Sequence, residues 1–159
     1  MINVYFDVDG VMTDGKFVYT ESGKVSKTFG PEDAEALNLI RKIVPITFLS
    51  ADWRGFEITR ARIEVDLEFR LVNVSNRDRL EWIIEDANQS PWVYMGDSFV
   101  DAQILEAADC AIAPANAHSM AIRAAKFVTR AKGSEGAVAE ACSIITREYN
   151  LDIPELYWI

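Results

Sequence analysis

Phe6-Asp7-Val8-Asp9-Gly10-Val11-Met12-Thr13-Asp14-Gly15 comes directly after the short apolar run Ile2 to Phe6. Residues i and i+2 of an extended chain point to one side. A strand here therefore carries Asp7 and Asp9 out together at its carboxyl end. Gly10 has access to backbone angles closed to other residues and lets the chain turn away. Two carboxylates held this way suit a hard divalent cation such as Mg2+, which takes oxygen ligands and keeps water or phosphate in its remaining positions. By itself an Asp-x-Asp-Gly segment is equally compatible with a surface turn, since Asp and Gly are common turn residues. The surrounding pattern has to decide.

That pattern alternates strands with helices. Lys16 to Thr20 and Lys24 to Phe29 read as a hairpin turning at Glu21-Ser22-Gly23, a flap over the acidic loop. Pro31-Glu32-Asp33 starts a helix with Ala36, Leu37, Ile40 and Ile43 on its apolar face. Pro45 to Leu49 is a core strand ending at Ser50, and a helix is expected from about Trp53 to Ile63, with Phe56, Ala61 and Ile63 facing the core. Leu67 to Val72 reads as a strand. Asn76 is the expected N-cap of a helix carrying Leu80, Ile83, Ile84 and Ala87. Pro91 to Met95 is a strand closed by Gly96-Asp97-Ser98, followed by a helix from Phe99 to Ala108. Short strands at Cys110 to Ala113 and Phe127 to Thr129 flank a helix through Met120 and Ile122, and a last helix runs from Glu135 to Tyr149.

The fold class expected is α/β: a doubly wound, mostly parallel, Rossmann-like sheet covered on both faces. Residues 1–159 form one domain, with the hairpin at about 16–29 and no separate cap domain. Crossovers in such sheets are right-handed, so the strand ends after Phe6, Leu49 and Met95 share one edge. That edge gathers Asp7, Asp9, Ser50 and Asp97 into one crevice.

Bulk properties narrow the function. A chain of 159 residues is long enough for one real core. Apolar residues at 50% and charged residues at 26% fit an ordinary soluble globular protein. A formal net charge of -9 argues against a nucleic-acid partner, which needs a basic footprint. It permits an anionic small substrate, because a metal and local cations reverse the field inside one cleft. Cys110 and Cys142 lack metal or disulfide spacing, which points to a reducing, cytoplasmic setting. No leader segment and no bilayer-spanning run is legible, so no membrane partner is expected.

The crevice has the parts of a phosphoryl-transfer site. Gly96-Asp97-Ser98-Phe99-Val100-Asp101 adds two acids across a strand-to-helix turn. Asp97 reaches a metal, and Asp101 either ligates it or holds its water. Ser50 offers its hydroxyl and backbone N–H to a phosphoryl oxygen. Arg79 supplies the cation that balances charge spreading onto those oxygens. Asp7 would attack phosphorus, and Asp9 would protonate the leaving alcohol and then activate water. His118 is the single histidine. This chemistry needs no imidazole, and a structural role is expected for it.

The pattern resembles the haloacid dehalogenase (HAD) superfamily of phosphohydrolases. Asp7-Val8-Asp9-Gly10-Val11-Met12-Thr13, Ser50, Arg79 and Gly96-Asp97-Ser98-Phe99-Val100-Asp101 match its four motifs in order. Thr13-Asp14-Gly15, the hairpin, and Gly133-Ser134-Glu135-Gly136-Ala137-Val138 resemble the capless branch. That branch includes phosphatases of 3-deoxy-D-manno-octulosonate 8-phosphate and of nine-carbon sugar-acid 9-phosphates. The resemblance implies a Mg2+-dependent phosphatase of a small sugar-acid phosphate, with Asp7, the Asp9 carbonyl and Asp97 around the ion and the whole acting in lipopolysaccharide or a related pathway. It also implies a homotetramer assembled through the hairpins, with the apolar tail at 151–159 near a neighbouring crevice.

Three segments depart from the branch. Ser50-Ala51-Asp52 stands where Thr-Gly-Arg is common, Arg79 where Lys is usual, and Glu32-Asp33-Ala34 where Arg-Asp-Gly is frequent. Arg is a planar fork and holds phosphate differently from a point charge. An acid near the mouth changes which sugar acid is accepted. Readings of other classes are a receiver-like signalling module, disfavoured by the spacing of the first two acids, and an inactive relative, disfavoured by the intact acids.

Overall fold

The structure is a computed structural model, and it describes residues 1–153. Six parallel strands form one sheet: β1 (Asn3–Asp7), β4 (Ile46–Ser50), β5 (Arg70–Asn73), β6 (Trp92–Met95), β7 (Cys110–Ala113) and β8 (Phe127–Val128), in the order β5-β4-β1-β6-β7-β8. A separate antiparallel hairpin pairs β2 (Val18–Thr20) with β3 (Gly23–Ser26). The chain runs outward from β1 through β4 to β5, then returns to lay β6 on the other side of β1. The order reverses between β1 and β6, and at such a point the loops after the two strands part and leave a crevice.

Strand alternation assigns side chains to two layers. Val4, Phe6 and Phe48 join one core with Leu37 and Ile40 of α1 (Asp33–Ile40) and with Val138, Ala141 and Ile145 of α6 (Ala137–Glu148). Tyr5, Leu49 and Tyr94 join the other core, with Ile83 of α3 (Arg79–Ala87), Ile104 of α4 (Asp101–Ala107) and Ala121 of α5 (Ser119–Ala124). Asp7 shares parity with Tyr5, so it leaves β1 on the side of α3 and α4. Cys110 and Cys142 are both buried free thiols. Among the described residues, no helix is long and apolar enough to cross a membrane.

Several local expectations are corrected. The helix foreseen over Trp53–Ile63 is α2 (Phe56–Arg60), continued by a π-helical segment over Ala61–Asp66. Trp53 stays 69% exposed in the bend before it, Phe56 is half-buried and Ala61 is exposed, which leaves Ile63 as that helix's core contact. The wider turn uses up residues through Asp66, and Glu68 then takes φ 58, so β5 starts at Arg70 and not at Leu67. Asn76 does not cap α3. Ser75 bends the chain there, its Oγ accepting from the Asp78 N–H at 3.2 Å, and the helix begins at Arg79. Ile84 faces outward, and Ile83 carries the buried contact.

Asp33 ties α1 to α6. It is fully buried, and its Oδ1 accepts from the Ala139 N–H at 2.9 Å, satisfying a donor in the first turn of α6. Asp33→Ala leaves that N–H without its acceptor and is expected to lower stability by about 1–3 kcal/mol, read from the urea midpoint. Leu151 and Ile153 fold back onto the first core. The rest of the tail expected at an interface, residues 154–159, lies outside the described residues.

Candidate active site

The loop after β1 is a tight turn built on one acceptor. The Val8 carbonyl receives N–H bonds from Val11, Met12 and Thr13 at 3.2, 2.9 and 3.1 Å. The buried Thr13 hydroxyl accepts from Gly10 N and Gly15 N at 3.0 and 3.1 Å. Gly10 sits at φ 87, and a Cβ there would fall 2.0 Å from Asp97 Oδ2. Glycine at this position is what lets Asp97 close against the β1 loop. Asn116 braces the loop from behind, donating to the Gly10 carbonyl at 3.0 Å and accepting from Gly133 N at 2.7 Å.

Asp7, Asp97 and Asp101 each bring one carboxylate oxygen within 4.8 Å of the others. Arg79 opens α3 with its side chain only 2% exposed. Its Nη1 donates to Asp7 Oδ1 at 3.0 Å and Tyr94 Oη at 3.1 Å, and lies 3.4 Å from Asp101 Oδ1. Asp101 is already occupied: Oδ1 accepts from Tyr94 Oη at 2.5 Å, and Oδ2 from Ser98 N and Oγ at 2.9 and 2.6 Å. Its geometry suits holding its neighbours more than binding an ion directly. Arg79→Ala would leave Asp7 and Asp101 buried without their cation. It is expected to destabilise the metal-free chain by about 3–5 kcal/mol, with Arg79→Lys losing less, both measured by chemical denaturation.

Asp9 stands apart from that trio, held by Lys27 with Nζ 2.8 Å from Oδ1 and 3.0 Å from Oδ2. Ser50, at the end of β4, is 1% exposed, and its Oγ accepts from Asp52 N at 3.2 Å. Ser50 does not line the neighbouring cavity, although Ala51 and Asp52 after it do. Asp7, Asp9, Lys24, Asp52, Arg79 and Asp97 are among the residues lining that cavity, whose volume is about 340 Å³. Asn76 lines it too, a use the capping expectation missed. Lys27 and Tyr94 were also missed. The hairpin's position over the loop hinted that one of its lysines would reach an acid, but nothing in the local sequence said which. His118 caps α5, its Nδ1 accepting from Met120 N at 3.2 Å, while its backbone N–H donates to the Asp97 backbone carbonyl at 2.7 Å.

The acids crowd one another. Burial pushes Asp97 up to about 7, helped by the charges of Asp101 and Asp9. Burial also raises Asp7 well above the usual carboxylate range, with the Arg79 guanidinium opposing it. Oδ1 of Asp97 is buried and has no hydrogen-bond partner among the described residues. An all-oxygen donor set with one orphaned carboxylate oxygen and strained ionisation fits a divalent cation, which favours the charged forms.

The chain is similar to known hydrolases in sequence and in fold. A family model described as haloacid dehalogenase-like hydrolase matches residues 83–142, the part that carries Asp97 and Asp101 but not the β1 loop. The chain is 28% identical over 145 residues to a 3-deoxy-D-manno-octulosonate 8-phosphate phosphatase of Yersinia pestis, spanning 87% of this chain and 76% of that one. It superposes with TM-score 0.80 and 25% identity on the cobalt-bound deoxy-D-mannose-octulosonate 8-phosphate phosphatase of Haemophilus influenzae, covering 92% and 88% of the two chains. A third likeness is in fold alone. The 3-deoxy-D-manno-octulosonate 8-phosphate phosphatase of Moraxella catarrhalis, solved with magnesium, phosphate and its sugar acid, gives TM-score 0.77 at 21% identity over 92% and 85% of the chains.

Proposed function

We infer that this chain, which belongs to the haloacid dehalogenase-like hydrolases and is a phosphatase, hydrolyses a small phosphomonoester in two steps through Asp7, with a phosphorylated sugar acid such as 3-deoxy-D-manno-octulosonate 8-phosphate as substrate. The observation that carries the reading is a buried carboxylate, Asp7, paired at 3.0 Å with Arg79 in the wall of a cavity also lined by Asp9 and Asp97. Asp7 attacks phosphorus while the bond to the leaving oxygen breaks, and Asp9 gives that oxygen a proton. Asp9 then takes a proton from water as the water attacks the aspartyl-phosphate, releasing phosphate and restoring Asp7. Arg79 keeps a buried Nε without a partner among the described residues, a donor suited to a phosphoryl oxygen. The Ser50 hydroxyl, which accepts from Asp52 N, still has its own proton to donate.

Asp7, Asp97 and the Asp9 carbonyl would hold Mg2+, with Asp101 orienting them. Bound there, the ion supplies neutralisation of charge between the nucleophile and the phosphate. The sugar-acid assignment rests on the named relatives. Its test is phosphate release with Mg2+ from 3-deoxy-D-manno-octulosonate 8-phosphate, nine-carbon sugar-acid 9-phosphates, hexose phosphates and nucleotides. A lead of at least about tenfold in kcat/KM for the first supports it. A different leading ester replaces the substrate and keeps the chemistry, and no release from any ester overturns both. The exposed apolar residues of the hairpin, Val18, Tyr19 and Val25, support a homotetramer closed through the flaps. A monomer in light scattering at micromolar concentration would refute that part.

A further inference from the structure

Lys27 follows β3 on the hairpin, and its side chain is fully excluded from solvent. Its Nζ lies 2.8 Å from Asp9 Oδ1, 2.8 Å from Thr59 Oγ1 and 2.8 Å from Asp52 Oδ2. An ammonium has three donors and no acceptor, and here each has an oxygen within reach. Asp52 also pairs with Lys24 at 2.6 Å, so two lysines of the hairpin and two aspartates of the sheet-edge loops neutralise one another. Burial works to raise the Asp52 carboxyl, but hydrogen bonds from Lys24 and Lys27 outweigh it and hold it below the usual range. Thr59 is itself fully buried on α2, which anchors the ammonium from a third element.

A buried lysine is disfavoured unless its charge is matched. Here the match is built from three separate segments, with Lys27 donating to Asp9 Oδ2 and lying 2.8 Å from Oδ1. We propose that Lys27 is a positioning residue for the reaction: it aims the Asp9 carboxyl group, which carries the proton in this step, at the leaving oxygen, with Asp52 and Thr59 keeping the ammonium in place. The hairpin thereby acts on the chemistry through one side chain, besides covering the cavity. This inference rests on the reading that Asp9 moves the proton.

The test compares two esters, β-glycerophosphate and dinitrophenyl phosphate. An alkoxide needs a proton to leave, whereas dinitrophenolate leaves without one. Lys27→Met is expected to lower kcat/KM, which reports the steps through departure of the leaving group and not the later attack of water, by about 10–100-fold on β-glycerophosphate and by less than about threefold on dinitrophenyl phosphate. Thr59→Val removes one acceptor of the ammonium without touching Asp9. It should show the same bias at smaller size, which covers the case that Lys27→Met fails to fold. Asp9→Asn is the reference. If it shows the bias and both other variants lose activity equally on the two esters, the positioning role is overturned and the role of Asp9 stands. If Asp9→Asn itself shows no bias, the proton-transfer reading falls and this inference with it.

Discussion

Asp7→Asn is expected to lower kcat for phosphate release by at least about 10⁴-fold while the chain still unfolds cooperatively. An amide has nearly the shape of a carboxylate but is too poor a nucleophile to open a path through a covalent intermediate. The surroundings show why the fold should survive. Burial already raises the Asp7 carboxyl well above its ordinary range, so the neutral side chain suits this position better than the ion does. The amide oxygen can still accept from Arg79 where Asp7 Oδ1 does at 3.0 Å, and Arg79 keeps Tyr94 and Asp101 beside it. The expected result is therefore a split: activity gone, metal-free thermal midpoint equal to or above the parent. Phosphate release and circular dichroism on the same sample read both. A variant within tenfold of the parent kcat would remove Asp7 from the chemistry, and a collapsed midpoint would make it a structural residue.

What the sequence disclosed follows a physical division. Strand ends were legible because the apolar runs Ile2 to Phe6 and Pro45 to Leu49 stop at polar residues, and the edge that unites them follows from the handedness of crossovers. The face that Asp7 takes was not legible, because Val4, Tyr5 and Phe6 are all apolar, and only the two cores show that Tyr5 and Asp7 lie toward α3 and α4. The π-helical segment was not legible either, because Ala61 to Asp66 keeps an ordinary helical composition and the extra residue per turn leaves no mark in the pattern. Asn76 was misjudged for a related reason. Capping preferences rank residue types, but Ser75 competed for the same turn and won. Lys27 escaped because its partners Asp9, Asp52 and Thr59 come from three segments remote in the chain. Of the departures from the branch, Asp52 turned out to be a counter-charge for Lys24 and Lys27, which moves it away from simple substrate recognition, while Asp33, the residue of Glu32-Asp33-Ala34 that keeps the branch's Asp, is a brace for α6.

Chelating divalent cations should make the chain less stable as pH rises from about 5 to about 8, the reverse of what paired surface carboxylates produce. Asp97 moves from an ordinary 3.8 to about 7, with burial first and the charges of Asp101 and Asp9 after it. A raised carboxyl means that the folded chain holds a proton the unfolded chain has released. Its contribution is fully present below the unfolded value and is lost as pH climbs through the folded one. At about 1.4 kcal/mol per unit, Asp97 alone accounts for at most roughly 4 kcal/mol over the whole span from its unfolded to its folded value, of which roughly 3 kcal/mol falls above about pH 5, and Asp7, raised in the same direction, adds to the trend. Saturating Mg2+ should reverse the loss, since an ion that binds only the folded chain at about 100 times its Kd stabilises it by about 2.7 kcal/mol. Because the ligands must be ionised, the apparent affinity should fall toward tenfold per pH unit below about 7. Urea midpoints at about pH 5.5 and about pH 8, with EDTA and with Mg2+, test both halves: the gain from Mg2+ should be large at the higher pH and small at the lower. In Asp97→Asn most of the pH dependence in EDTA and most of the response to Mg2+ should vanish together. A response to Mg2+ that persists would remove Asp97 from the metal site, and a pH dependence that persists alone would assign it to Asp7.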